Sequence, residues 1–128
     1  MMPLFASIAA VGAGLHVAGY WIEGEATISE ASAVAATAIP VAAYILLVFA
    51  NYAVLHRGGS SGNRLFHGLL LVGTMLVIAA AIGLAVAGVS LGICLLVVML
   101  GPFVTVVGFE LIGYRHLAAD RRALLGAE

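Results

Sequence analysis

Four apolar runs, residues 3–22, 31–55, 65–89 and 91–114, take up nearly all of this 128-residue chain. A helix needs roughly 20 residues, at about 1.5 Å each, to cross about 30 Å of hydrocarbon, and each run is close to that length. With 64% hydrophobic and only 9% charged residues, the chain lacks the polar surface that a soluble domain of this size requires. In lipid every backbone amide and carbonyl must be satisfied internally, and runs of this length without period-2 alternation favour helices over a barrel. The expected fold is an all-α, integral membrane four-helix bundle made of two antiparallel helical hairpins. It forms a single membrane domain over 1–128, with helices at about 3–22, 28–56, 64–88 and 91–119 and a short amphipathic C-terminal tail at about 117–126.

Four crossings put both termini and the middle connector on one face, and all the cations fall there: Arg57, Arg64, Arg115, Arg121 and Arg122, with no lysine in the chain. The opposite face receives Glu23, Glu25 and Glu30 and the turn at 88–92. The bias of arginine toward the cytoplasmic side therefore predicts a multi-pass cell-membrane protein with cytoplasmic N- and C-termini. Tyr20 and Trp21 suit the aromatic belt of the far face, as Tyr52 and Tyr114 suit the near one. The first run has no basic leader, and bulky residues and Glu23 follow it, so it reads as an uncleaved first helix. Cys94 is the lone cysteine and has no disulfide partner in the chain.

The connectors carry their own signals. Thr27-Ile28-Ser29-Glu30 has the spacing of a capping box and predicts a second helix that starts near Ile28. Gly58-Gly59-Ser60-Ser61-Gly62 reads as a flexible linker between the hairpins. Pro40 and Pro102 each fall in the second helix of a hairpin, where a lost backbone hydrogen bond bends the helix and opens a small cavity at mid-membrane. Both of those helices also end in an Arg/His pair, a recurrence better read as chance than as duplication. Ladders of small residues, Ala10-Gly14-Ala18 and Ala79-Gly83-Ala87, are the expected helix contacts.

Ionisable groups inside lipid cost a few kcal/mol each and persist only with a partner or a task. His16 and Glu110 are the two such groups. Glu110 lies about one turn from the cytoplasmic end of its helix, at the level of Asn51, so an Asn51–Glu110 hydrogen bond between helices is expected, with Arg57 or Arg115 as a further partner of the carboxylate. His16 lies near the level of Ser32 and Thr37 and is expected as a buried, hydrogen-bonded imidazole. Glu23, His56, Arg57, His67, Arg115 and His116 are interfacial candidates. His56, His67 and His116 share the cytoplasmic edge, yet no His-x-x-x-His pair or nearby cysteine supports a metal there, and no cofactor is expected. The chain also lacks a nucleophile triad, a phosphate-binding glycine loop and paired carboxylates in a soluble domain, so a non-enzymatic role is expected, with a haem- or quinone-binding redox subunit as the minority alternative. Nucleic acid is not an expected partner, because topology already accounts for the five arginines.

Three runs resemble part of the bacterial low-temperature-requirement protein A family. They are Gly14-Leu15-His16-Val17-Ala18-Gly19-Tyr20-Trp21-Ile22-Glu23-Gly24, Ala38-Ile39-Pro40-Val41-Ala42-Ala43-Tyr44, and Gly101-Pro102-Phe103-Val104-Thr105-Val106-Val107-Gly108-Phe109-Glu110 with Gly113-Tyr114-Arg115-His116. The resemblance spans residues 8–120 and likens this chain to one module or half of a longer member. It implies a bacterial inner-membrane protein and singles out His16, Glu23, Glu110, Arg115 and His116, without a reaction. The expected function is an accessory or assembly subunit that meets membrane lipids and other membrane subunits, or its own copies, through its helices. The alternative is an oligomeric small-solute, proton or lipid carrier that uses Glu110 and His16 along the proline bends.

Overall fold

The computed structural model describes the backbone over residues 2–55 and 61–125, and side chains over 2–54, 65–108 and at 110. Within these residues the chain is all-helical: α1 (Met2–Ile22), α2 (Glu30–Leu55), α3 (Ser61–Val86) and α4 (Leu91–Leu125). All four helices are long and apolar enough to cross a membrane, by length and composition. Helix α3 begins at Ser61, so the last two residues of the expected Gly/Ser linker are helical, and 58–60 lie outside the described residues together with His56 and Arg57. Helix α4 runs unbroken for 35 residues, about 50 Å, so the expected surface tail is a continuation of that helix.

Local chemistry explains the helix ends. The start of α2 is capped by Ser29, not by the expected box on Thr27. The Ser29 Oγ accepts from the amide of Ser32 at 3.2 Å, and the two hydroxyls lie 2.8 Å apart. A serine oxygen placed three residues before a free amide satisfies it directly, which moves the first helical residue to Glu30. Helices α1 and α3 end alike. The Glu25 amide reaches the Tyr20 carbonyl at 3.0 Å and that of Gly24 reaches Trp21 at 3.1 Å, while Val89 reaches Leu84 at 3.0 Å and Gly88 reaches Ala85 at 3.1 Å. This paired closure needs a left-handed residue, supplied by Gly24 at φ 76° and Gly88 at φ 84°.

Helix α2 packs against each of the other three helices, whereas α1 packs substantially only against α2. Its neighbours fix the direction of each crossing. Gly14 of α1 meets Ala36 and Thr37 of α2, and Phe49 and Tyr52 of α2 meet His67 of α3. Successive helices are thus antiparallel, and α2 and α4 run parallel. The core centres on Ile45, Val34 and Val98, with Thr74 and Cys94 equally enclosed.

Buried positions recur in steps of three and four: Ser7, Gly14 and Ala18 on α1, Thr74, Ile78, Ala81 and Ala85 on α3, and Leu91, Cys94, Val98, Gly101, Thr105 and Gly108 on α4. That is the 3.5-residue repeat of helices packing along a left-handed seam. The expected ladders are only partly those seams. Gly14 and Ala18 face inward, but Ala10 is exposed, and Ala79, Gly83 and Ala87 all point outward. The seam of α3 is instead offset from that ladder and runs through Thr74, Ile78, Ala81 and Ala85.

Thr74 of α3 and Thr105 of α4 meet through their hydroxyls at 3.2 Å. Each hydroxyl also approaches a carbonyl four residues back, Leu70 at 2.9 Å for Thr74 and Gly101 at 3.0 Å for Thr105. Two hydroxyl protons serve three short contacts, so one proton crosses between the helices while the other returns to its own backbone. Replacing each threonine by valine, singly and together, is expected to give a coupling of about 0.6 kcal/mol in a double-mutant cycle of unfolding in mixed micelles. Strictly additive losses would show that the contact does not join the hairpin.

Candidate functional site

A half-enclosed cleft of about 240 Å³ lies between α2 and α4. Ile45 and Val48 of α2 form one wall, and Pro102 and Val106 of α4 form the other. Tyr44 and Thr105 flank it, and Glu110 supplies its one charged group. The cavity expected from helix-breaking prolines thus forms at Pro102, while Pro40 does not line it. A proline removes an amide from its helix and keeps its ring on the surface, so a neighbour cannot close against it fully.

Glu110 stands eight residues beyond Pro102 on the same helix, about 12 Å further along the axis. Its side chain is exposed. The expected Asn51–Glu110 bond is not made: Asn51 donates from Nδ2 to the Leu47 carbonyl of its own helix at 2.9 Å. A short amide on a helix reaches the carbonyl four residues back without help from another helix, and here that local acceptor wins.

His16 also departs from expectation. It lies on the outer surface of α1, where the Tyr20 ring meets it edge-on with centroids 4.7 Å apart. It therefore takes no part in the α1–α2 seam, and Thr37, on the facing helix, is buried with no hydrogen-bond partner for its Oγ1. Glu23 is exposed in the turn after α1. Among the described residues the imidazole buried in the bundle is that of His67, which stacks on Tyr52 at 4.3 Å with the planes 18° apart and has Phe49 and Phe66 edge-on to it. Aromatic residues spaced along the ends of α2 and α3 make this a clamp between the hairpins.

Among the described residues no group of three or more His, Cys, Asp or Glu could hold a metal ion. The side chains of Arg115 and His116 lie outside the described residues. The structure thus brings Glu110 and Pro102 to one cleft and leaves His16 and Asn51 apart from it. Sequence reasoning missed Thr74 and Thr105, although a lone hydroxyl near the middle of each helix of one hairpin was available as a signal. No family model, curated protein or solved structure matches this chain.

Proposed function

We propose that this chain is a multi-pass cell-membrane protein that serves as a non-catalytic accessory or assembly subunit of a larger membrane complex, with both termini in the cytoplasm. The observation that carries the reading is His16, a polar ring exposed on a helix that packs substantially against α2 alone. His16 lies about 9 Å inside the far end of α1, where an imidazole facing hydrocarbon is unfavourable, by up to about 3 kcal/mol if charged, unless a hydrogen-bonding group from another protein meets it. The outer face of α1 is the docking face, and the partner is another membrane helix with a hydrogen-bonding group at that level. The cytoplasmic placement of the termini rests on the arginine distribution. Membership of the low-temperature-requirement protein A family is part of the same proposal and rests on the sequence runs quoted for it.

Purification in a gentle detergent, with the mass of the intact particle and its accompanying proteins recorded, tests the reading. A larger particle of fixed stoichiometry is expected. The His16→Leu variant should recover about tenfold less partner while the bundle itself melts unchanged, because His16 contributes nothing to the internal seam. A partner-free monomer that is stable in every detergent would defeat the proposal. The second reading, an oligomeric carrier, draws on the cleft that joins Pro102 to Glu110. A colourless homo-oligomer would favour it.

A further inference from the structure

The α2–α4 cleft is graded along its length. Its floor of Ile45, Val48, Pro102 and Val106 is apolar, and its one charge, Glu110, lies about 12 Å along the axis from Pro102. Thr105 adds no unmet polarity, because its hydroxyl already reaches Gly101 and Thr74. Within the apolar run 91–114, Glu110 lies about one turn from the cytoplasmic end and Pro102 about two turns further in. An amphiphile has the same layout, with its head at the surface and its chain directed inward. We infer that this cleft binds a single-chain amphiphile whose head is a primary ammonium group, with the chain along Pro102 and Val106 and the head on the Glu110 carboxylate.

Three observations select this occupant. At about 240 Å³ the cleft is below the roughly 300–1,000 Å³ of sites for drug-sized ligands and far too narrow for a helix about 10 Å across, but it suits one alkyl chain. Among the described residues nothing forms a hydrogen bond or ion pair with Glu110, and Asn51, the expected partner, is satisfied by Leu47. A carboxylate that has no partner among the described residues and stands beside an apolar wall repels an anionic head and attracts a cationic hydrogen-bond donor, since charge-assisted bonds are the stronger ones. This inference is independent of the subunit reading, which rests on the outer face of α1 at His16.

Titration of the full chain in a neutral detergent with tetradecylamine, tetradecanol and tetradecanoate, read by native mass spectrometry, tests it. The amine is expected to bind about tenfold more tightly than the alcohol, and the carboxylate more weakly than both. Glu110→Gln should reduce the amine to the level of the alcohol and leave the alcohol unchanged. Val106→Trp, which fills the cleft and keeps the charge, should weaken amine and alcohol alike. Equal binding of amine and alcohol to the unaltered chain, or an amine preference that survives Glu110→Gln, would overturn the assignment. An ethanolamine phospholipid that displaces the amine at equal concentration would overturn its single-chain part.

Discussion

Gly14→Ala is expected to destabilise the bundle by about 2–3 kcal/mol and to part α1 from α2, whereas Gly12→Ala, two residues away, should leave stability unchanged or slightly higher. A methyl group at Gly14 would overlap the Ala36 carbonyl oxygen and lie 2.7 Å from the Ala36 carbonyl carbon and 2.8 Å from the Thr37 Cα. All of these are backbone atoms of a helix, which cannot rotate aside as a side chain can, so the two helices must separate. At Gly12 an added methyl meets nothing within 4 Å. Gly108 makes an instructive third case, because the neighbour there is the end of the Leu70 side chain, with its Cδ2 at 2.8 Å. Leucine can change rotamer, so Gly108→Ala should cost less than Gly14→Ala. Thermal melting of the three variants in one detergent, with crosslinking between α1 and α2, ranks them, and a Gly14 variant as stable as the Gly12 variant would refute this account of the seam.

Ile45→Ala is the second large effect, with an expected loss of about 2–3 kcal/mol, against almost none for its neighbour Leu46→Ala. Ile45 is 1% exposed, on the helix that touches all the others, and Leu46 is 47% exposed. In a soluble core such a truncation costs about 2–5 kcal/mol, partly from apolar transfer out of water and partly from the cavity left behind. In a bilayer the transfer part shrinks, because lipid tails are as apolar as the protein interior, and the cavity part remains. The figure therefore belongs at the low end of the soluble range. Equilibrium unfolding in mixed micelles measures it, and equal losses at 45 and 46 would mean that α2 is not central.

How far the fold was legible follows from the same physics. Span number and rough length come from run length alone, since only helices of that size satisfy their backbone in hydrocarbon. Rotation of each helix about its axis does not, because Ile39, Leu69, Leu96 and Phe103 on the outside are as apolar as Ile45 and Val98 on the inside. The mid-helix hydroxyls of Thr37, Thr74 and Thr105 all lie inside, but small residues lie on both sides, Gly14, Ala81 and Cys94 within and Ala10, Ala79 and Gly83 without. Choosing among several ladders of small residues required the partner helix, which is why Ala79 and Gly83 were placed on the wrong side. Polar residues misled in a related way: Asn51 found its acceptor within its own helix, and His16 was assigned to the interior on the premise that lipid excludes it. That premise holds for an isolated chain. It fails wherever another protein supplies the surroundings.

The position of α1 bears finally on how the protein is made. Since α1 packs substantially only against α2, nearly all the contacts of α1 are available once residue 55 has been synthesised. Helix α2 then offers its remaining side as a template on which the α3–α4 pair docks, so assembly can proceed from the N-terminus onward without waiting for the chain to be completed.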